Sequence, residues 1–422
     1  MRKFALAATA VAALSVGLQT PAFAAAPDAP TDLTVDWQAG KVHLTWKDNG
    51  EANYILAEYD GGTPGTVLQT TAAEGNDVTL SVPLRQAERV RLLVRSENAD
   101  GVSADAATPA FDTLRPSAPG LKDANLATNL TTNLSWVPGS IISDNTPNDP
   151  LDLPGNGTVQ ATVTGPGGTK SYPFAADATS GSVPAQARPA AIKLSQVNEW
   201  GTSPQDVKTV KLGTLGASTT VPASALFSNR LAIKSTLDLF TSAGREERAS
   251  GIPVQLQARA KTTDAWKTYG RYSGNTTAAF DTGIASLGNR QYRLWVPARK
   301  VVSGNIIALT PAASTGAKSS KTYVKFGPGG FNPSTVRVGG RSTLSVKILP
   351  AVTVKARPQG WDGRHWIDLG IDVPITKGSY VERGDIETER YTLRLRFVVP
   401  TVVVNGLTVL ANTSPAYNLT VK

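Results

Sequence analysis

Turn-forming residues punctuate this chain at short, regular intervals, and that spacing constrains its fold more than any other feature. Glycine (38) and proline (28) recur roughly every 8 to 12 residues, between short runs rich in Val, Thr, Leu and Ile. This spacing is typical of β-sandwiches, whose strands are short and whose turns need these two residues. The sequence therefore predicts an all-β chain, built as an extended array of tandem β-sandwich domains.

Cysteine is absent from all 422 residues. This excludes disulfide bonds, zinc–thiolate sites, iron–sulfur clusters and cysteine nucleophiles. Each domain must therefore be stable through core burial alone, which requires domains of about 80 residues or more. We predict no cofactor.

The first 24 residues have the pattern of a cleavable secretory signal. Arg2 and Lys3 precede an apolar run over 4–18, and the small-residue pattern Ala22-Phe23-Ala24 follows. No later stretch approaches the roughly 18 to 20 uninterrupted apolar residues that a membrane-spanning helix needs. We therefore expect a secreted chain that begins near Ala25, has no membrane anchor, and is extracellular or associated with the cell wall.

Two segments in the N-terminal half share one plan. Each has a double-proline lead, a strand that ends in tryptophan, and a late strand that runs into Asn-x-x-Gly-x-Ser. The matched stretches are Pro27 to Pro30, Trp46 and Asn98 to Ser103 in the first, and Pro116 to Pro119, Trp136 and Asn198 to Ser203 in the second. Over residues 27–213 the pair resembles fibronectin type III domains, which implies seven-stranded sandwiches used as spacers and binding modules. We place these domains at 25–115 and 116–215.

The C-terminal half contains a second pair of repeats. Val254, Trp266 and Gly270 each precede a matching residue, Val354, Trp366 and Gly370, by 100 positions. We also match Tyr292 to Tyr391, and an internal duplication explains these anchors. The layout resembles bacterial immunoglobulin-like surface repeats, and we place the two domains at 216–326 and 327–422.

Charge divides the chain into two unlike halves. The net charge is −8 over residues 25–215 and +15 over residues 216–422. A basic half attracts anionic polymers and surfaces. The predicted partner is an anionic polysaccharide of the cell wall or extracellular space, or another secreted protein. Nucleic acid is not expected, because the chain is exported and few aromatic residues interleave with the cations.

The sequence gives little support for catalysis. A Ser-His-Asp arrangement would need His43 or His365, the two histidines of the chain, and no Gly-x-Ser-x-Gly motif supplies a nucleophile. Strand alternation places His43 on a solvent-facing side of its strand. A pair of carboxylates for glycoside hydrolysis is compatible with the composition, but small sandwiches offer only shallow faces. We predict that the chain is not an enzyme.

The second domain carries an insertion of acidic and amide side chains over 143–156. Asp144, Asp149 and Asp152 are the carboxylates that a calcium ion would use. The prolines of the same segment make an extended, solvated turn an equally good interpretation.

Rows of cations mark the candidate binding face of the C-terminal pair. Alternation turns Arg394 and Arg396 outward on one strand and Lys355 and Arg357 outward on another, with Arg390 nearby. In the third domain, Arg293 and Trp295 alternate outward in the same way. Such cations can bind phosphates or carboxylates, or they can only improve solubility and discourage strand pairing between molecules.

The stretch WDGRHWIDLG, residues 361–370, combines a repeat element with a variable turn. Trp366 has a counterpart in Trp266, whereas Trp361 and Arg364 flank an Asp-Gly hairpin signal that the third domain lacks. We predict a contact with a sugar or protein at Trp361 and Arg364.

These features predict a secreted, non-catalytic binding or scaffold protein whose basic pair contacts an anionic glycopolymer or an acidic protein. Two alternatives remain open. One is an accessory to, or a catalyst of, extracellular polysaccharide degradation. The other is an adhesin or a secreted protein inhibitor that uses loops at the ends of the sandwiches.

Overall fold

The computed structural model describes residues 25–47, 50–139, 146–153, 157–240, 247–386 and 389–422. Throughout these ranges the regular structure is β-strand, and no helix in them is long and apolar enough to cross a membrane. The predicted signal segment and Asp144 lie outside the described residues. The predicted all-β array of sandwich domains is confirmed.

Domain 1 is a sandwich of two antiparallel sheets. Its strands are β1 (Thr31–Gln38), β2 (Lys41–Lys47), β3 (Asn53–Tyr59), β4 (Val67–Thr70), β5 (Asp77–Thr79), β6 (Val90–Asn98), β7 (Gly101–Val102) and β8 (Ala106–Ala107). One sheet has the order β1-β2-β5, and the other has the order β4-β3-β6-β7 with β8 also paired to β6. This division of strands is that of a fibronectin type III sandwich.

Alternation along β2 explains how domain 1 closes over its core. Val42, Leu44 and Trp46 are at most 6% exposed, as expected for the inward side of a strand. His43 corrects our expectation of a solvated side chain. It is only 7% exposed, because Asp36 on β1 and Asp77 on β5 cover it from both neighbouring strands, with His43 Nδ1 2.8 Å and Nε2 2.9 Å from their carboxylate oxygens.

Domain 2 repeats the same sandwich. Its strands are β9 (Gly120–Leu126), β10 (Thr132–Val137), β11 (Thr158–Gly165), β12 (Gly168–Phe174), β13 (Ser180–Val183), β14 (Ala190–Asn198), β15 (Gly201–Thr202) and β16 (Thr209–Leu212). The sheets are β13-β10-β9 and β12-β11-β14-β16. Trp136, at the end of β10, is 1% exposed and packs against Phe174 with ring centroids 5.1 Å apart.

Domains 1 and 2 share a packed interface. Leu151, from the insertion of domain 2, is 1% exposed within the core cluster of domain 1, and its carbonyl accepts a hydrogen bond from Trp37 Nε1 at 2.6 Å. Trp200 of domain 2 packs between Trp37 and Phe111, with ring centroids 5.0 and 5.8 Å away. Burial of these large apolar groups stabilises the arrangement of the two domains.

Domain 3 is also a two-sheet structure, with many short strands. They are β17 (Thr214–Thr220), β18 (Ser224–Leu226), β19 (Arg230–Leu231), β20 (Lys234–Phe240), β21 (Ile252–Arg259), β22 (Lys267–Gly274), β23 (Phe280–Asp281), β24 (Ile284–Ala285), β25 (Arg290–Val296), β26 (Arg299–Ser303), β27 (Ile306–Thr310), β28 (Ala313–Ser314) and β29 (Lys318–Tyr323). One main sheet is β17-β20-β23, the other main sheet is β18-β29-β25-β21-β22 with β28 on β25, and β19 and β24 form a separate two-stranded sheet.

Domain 4 reproduces that topology. Its strands are β30 (Lys325–Phe326), β31 (Gly330–Asn332), β32 (Thr335–Val336), β33 (Arg341–Leu349), β34 (Val354–Trp361), β35 (Trp366–Asp368), β36 (Val373–Ile375), β37 (Ser379–Asp385), β38 (Thr392–Val399), β39 (Val402–Val404), β40 (Leu407–Val409), β41 (Asn412–Thr413) and β42 (Tyr417–Val421), and β30 pairs with β33. Its larger sheet, β32-β42-β38-β34-β35 with β41 on β38, corresponds strand for strand to that of domain 3. Shared strand order supports the inferred duplication.

The hairpin β26–β27 of domain 3 completes the sheet of domain 2. Strand β27 pairs in parallel with β16, with Thr209 opposite Ile306 and Leu212 opposite Leu309. Ile307 and Leu309 are 3% and 1% exposed and belong to the core cluster of domain 2. One sheet therefore continues from domain 2 into domain 3.

The equivalent hairpin of domain 4, β39–β40, packs against domain 3. Its turn is Asn405-Gly406, with φ of 50° and 75°, as a two-residue hairpin turn of type I′ requires. The Asn289 amide donates to the Thr408 carbonyl at 2.8 Å, and the Leu410 amide donates to the Thr322 carbonyl at 2.7 Å. Gly288 permits this approach, since a Cβ there would lie 2.4 Å from Leu407 Cβ.

Candidate functional site

A tryptophan stacked with arginines marks the outer face of domain 3. The guanidinium carbons of Arg259 on β21 and Arg293 on β25 each lie 4.4 Å from the ring centroid of Trp266, which immediately precedes β22. Arg293 Nε donates to Gln257 Oε1 at 2.8 Å, and Arg259 Nε donates to Gln291 Oε1 at 2.9 Å. All three stacked side chains are half-buried. We call Arg259, Trp266 and Arg293 the domain 3 ladder.

Domain 4 has a ladder at the same place. The guanidinium of Arg396 on β38 lies 4.4 Å from the ring of Trp366, and Arg396 Nε donates to Gln359 Oε1 at 2.7 Å. Arg394 lies 5.6 Å from the ring centroids of both Trp366 and Trp361, and the two indoles meet edge to face at 5.4 Å. We call Trp361, Trp366, Arg394 and Arg396 the domain 4 ladder.

The two ladders establish which strand positions of domain 3 correspond to which strand positions of domain 4. Gln257 stands opposite Arg293 as Gln359 stands opposite Arg396, so these strand positions are equivalent. Our match of Val254 to Val354 is therefore wrong by two residues, and buried Val254 corresponds to buried Ala356. Likewise Tyr292 corresponds to Leu395 and not to Tyr391. The loop before the tryptophan is two residues shorter in domain 4, which keeps Trp266 and Trp366 100 positions apart.

Trp361 and Arg364 lie where the hairpin signal places them. Trp361 pairs with Trp366 across the β34–β35 hairpin, and its side chain is 36% exposed. The Asp362 carboxylate accepts the amides of Arg364 and His365 at 2.7 and 2.6 Å, and these bonds lower the pKa of Asp362. Arg364 is exposed in this turn, whereas Trp361 packs into the ladder.

The remaining predicted cations of domain 4 are less uniform than the alternation suggests. Lys355 and Arg357 are exposed on β34, in the same sheet as Arg394 and Arg396. Carboxylates of Asp368 and Asp372 lie 3.6 to 3.9 Å from them. Arg390 is exposed and precedes β38. This outer face is therefore a mixed-charge surface around an arginine–tryptophan centre.

In domain 3, Trp295 shares the outward side of β25 with Gln291 and Arg293, and all three are half-buried. Trp295 stands opposite Gln255 and Ser314 of the flanking strands. The sequence placed Arg259 near Arg293 but did not assign Trp266 or Trp366 to the site, because their contact with the arginines depends on strand pairing. The detectable signal was a glutamine and an arginine that alternate with buried residues on paired strands in both repeats.

The ladders are suited to binding oxyanions. Stacking uses the flat face of a guanidinium and leaves its edge, with the N–H groups on both Nη atoms, for planar hydrogen bonds to phosphate, sulfate or carboxylate. Burial and the neighbouring Arg259 lower the pKa of Arg293, although an arginine stays charged at any physiological pH. Two guanidinium groups held side by side on one ring favour an anion as the third partner.

The two described carboxylates of the insertion, Asp149 and Asp152, hold its turn, and Asp149 also contacts domain 1. Asp149 accepts hydrogen bonds from the Leu151 amide at 2.7 Å, from Thr146 Oγ1 at 3.0 Å and from the Asp112 amide at 3.2 Å. Asp152 accepts the Asp149 amide at 3.0 Å. Within the described ranges, no group of three or more His, Asp or Glu side chains has the arrangement of a metal site. These contacts explain both residues through turn structure and domain packing.

Comparisons with known proteins give two solved structures of low similarity. No protein-family model matches the chain, and no curated protein matches it. Among solved structures it is similar to the FN1–FN3 domains of chicken CNTN1, with a TM-score of 0.23 and 12% identity over 70% of this chain and 100% of that chain. It is also similar to a two-domain fibronectin type III segment of chicken tenascin, with a TM-score of 0.21 and 12% identity over 42% of this chain and 95% of that chain. Domains 1 and 2 are fibronectin-III-like by their own strand order, as predicted, and the immunoglobulin-like label of domains 3 and 4 stays a prediction.

Proposed function

We propose that the chain is a secreted, non-catalytic binding or scaffold protein of the cell envelope or extracellular space. In this proposal domains 3 and 4 bind an anionic glycopolymer through their two ladders, and domains 1 and 2 act as the spacer. The observation that carries the proposal is the recurrence of one arginine–tryptophan–glutamine arrangement at equivalent positions of two basic repeats.

Stability alone gives a weak account of this recurrence. A cation–π contact at an exposed site contributes about 0.5 to 1 kcal/mol, and many other exposed pairs would serve equally well. A row of guanidinium groups spaced by indole rings has a chemistry that solubility does not require. Such a row can accept successive charged groups of a polymer, and a net charge of +15 over residues 216–422 brings that polymer close.

Domains 3 and 4 should be tested within the full chain. Strand β27 contributes Ile307 and Leu309 to the core of domain 2, so a cut at residue 215 would remove part of that core. Retention of the intact mature chain is measured on immobilised polygalacturonate, on a poly(glycerol phosphate) and on neutral dextran over a salt series. We expect retention on at least one anionic polymer, weakened by salt, and none on dextran.

A single variant with a matched control separates the ladder from net charge. Arg293→Gln removes one ladder guanidinium, and Arg230→Gln removes an exposed guanidinium that lies 2.9 Å from Asp281. We expect the first change to weaken retention and the second to leave it nearly unchanged. Absence of binding to every anionic polymer would contradict the proposed function.

A further inference from the structure

The junction of domains 3 and 4 contains a basic cleft beside the domain 3 ladder. Its volume is about 420 Å³. One wall is formed by the end of β21, the start of β22 and the start of β25, and the other by the Asn405-Gly406-Leu407 tip of the domain 4 hairpin. The small side chains of Ala258, Ala260 and Ala265 line it as well. Residues from two domains therefore enclose one space.

Three cations and one carboxylate face this cleft. Arg259, Lys267 and Arg290 line it together with Asp264, whose carboxylate accepts the Lys261 amide at 2.9 Å. In the part of the chain that the structure describes, none of the ion pairs includes any of these three cations. The cleft thus has an excess of uncompensated positive charge.

Of these three cations, Arg290 gives the strongest indication that the cleft binds an anion. It is only 9% exposed, and its guanidinium carbon lies 4.4 Å from the ring centroid of Tyr269. A guanidinium that has been withdrawn from water gains most from an anion placed beside it. Stacking on Tyr269 uses the flat face of the Arg290 guanidinium and holds it at the cleft, beside Tyr292.

We propose that this cleft binds an oxyanion of the polymer, a phosphate, sulfate or carboxylate group, between domains 3 and 4. The inference rests on the proposed function and assigns it one specific site. Asn289 and Thr408, which are joined by a main-chain hydrogen bond between the two domains, each neighbour a cleft residue in the chain, Arg290 and Leu407, and Leu410, which bonds to Thr322, lies three residues after Leu407. A bound anionic group therefore contacts both domains and stabilises their junction.

One test adds negative charge from the domain 4 side. Asn405→Asp keeps a residue that tolerates the positive φ of the turn and places a carboxylate at the rim. The matched control is Asn305→Asp, at the tip of the equivalent hairpin that packs on domain 2. Full-length proteins are titrated with poly(glycerol phosphate), polygalacturonate and inorganic phosphate, and affinity is measured calorimetrically.

We expect Asn405→Asp to weaken binding of one of the polymers about tenfold, because the added carboxylate repels the bound oxyanion, and Asn305→Asp to leave it unchanged. Lys267→Gln should act like Asn405→Asp, with Lys318→Gln as its control. The polymer that shows these losses identifies the charged group, since one carries phosphates and the other carboxylates. Binding of inorganic phosphate with the same losses would assign the site to the free ion as well.

A second readout follows the junction itself. Hydrogen exchange of the Asn289 and Leu410 amides should slow when the polymer is bound to the wild-type chain, and it should slow less in Asn405→Asp at the same subsaturating polymer concentration. If the wild-type chain binds a polymer, Arg293→Gln weakens that binding, and both cleft variants behave like their controls, the cleft assignment is wrong while the proposed function stands. If no anionic polymer binds the wild-type chain, the proposed function itself fails.

Discussion

At the scale of single residues, His43 and Glu199 are the groups whose titration is tied most closely to the fold. His43 lies between two carboxylates, and hydrogen bonds from its ring to Asp77 and Asp36 raise its pKa above 6.5. Burial, with further contributions from Asp112, Asp152 and Asp149, raises the pKa of Glu199 to about 7. Both residues belong to the N-terminal half, so this half should respond to pH.

The His43 contribution to stability should be present in acid and lost in base. Because its pKa is raised in the folded state, protonated His43 stabilises domain 1 below pH 6.5, and this contribution disappears as the pH rises through the folded-state pKa. His43→Gln should therefore lower the melting temperature at pH 5.5 and have a much smaller effect at pH 8.5. Thermal unfolding at both pH values checks this, with exposed His365→Gln as the control. A pH-independent difference would mean that packing, and not charge, explains the site.

Glu199 should give a pH dependence with the same sign. Its raised pKa means that the folded state favours the protonated carboxyl, so stability is lost as the pH rises from about 4.5 to about 7. Glu199→Gln cannot ionise, and we expect it to be more stable than the wild-type chain at pH 8 and similar to it at pH 4.5. Melting curves over this range measure the effect, and exposed Glu74→Gln serves as the control. Equal curves at pH 8 would show that the Glu199 carboxylate is solvated in the native state.

At the scale of elements, two hairpins determine how each repeat packs on the domain before it: β26–β27 of domain 3 and β39–β40 of domain 4. Strand β27 extends the β16 edge of domain 2, and the chain after β40 bridges to the end of β29 at Tyr323 and Leu410. In each repeat, this hairpin or the strand that follows it therefore makes main-chain hydrogen bonds to the preceding domain. Main-chain hydrogen bonds across a domain boundary restrict hinge motion that a simple linker would allow.

The hairpin β26–β27 should determine the stability of domain 2. Leu309→Ala removes a side chain that is 1% exposed in the domain 2 core, and such a truncation destabilises by about 2 to 5 kcal/mol. Val302→Ala, on the same hairpin and 62% exposed, should have little effect. Hydrogen exchange of the β14 and β16 amides measures the difference. Unchanged protection of these amides in Leu309→Ala would mean that domain 2 folds independently of the hairpin.

Strand patterning was predictable, and pairing between domains was not. Alternation correctly turned Arg293, Arg394 and Arg396 outward, because the side-chain period of a strand is two whatever its neighbours are. The same period could not show that Asp36 and Asp77 cover His43, since cover comes from adjacent strands. The hairpin β26–β27 has no sequence mark that distinguishes a strand of its own domain from one that completes another.

Only part of each ladder could be predicted from the sequence, because the rest depends on contacts between adjacent strands. Trp266 and Trp366 are recognisable as repeat anchors, but their contact with arginines on two further strands depends on register. The loop before Trp366 is two residues shorter than the loop before Trp266. This difference displaced the match between β21 and β34 by two residues. The glutamines that hold the arginine side chains could not be identified without the strand pairing, which places Gln257 opposite Arg293 and Gln359 opposite Arg396.

At the scale of the whole molecule, an acidic pair of fibronectin-III-like domains carries a basic pair that bears the candidate site. The charge difference, −8 against +15, gives the molecule two ends with different affinities for a charged surface. Packing at each junction holds the basic pair in a fixed relation to the acidic pair. We infer that geometry, and not net charge alone, determines what the C-terminal pair binds.

The affinity of two charge-matched double variants for one anionic polymer tests this claim most directly. Arg293→Gln with Arg396→Gln removes a guanidinium from each ladder, whereas Arg230→Gln with Arg341→Gln removes two exposed guanidinium groups paired with Asp281 and Asp385. Both proteins lose the same net charge. We predict that the ladder double variant binds at least about a hundredfold more weakly than the wild-type chain, the loss of one charge-assisted contact per ladder, and that the control stays within about threefold of it. Equal losses in the two double variants would contradict the account, because net charge would then explain the binding.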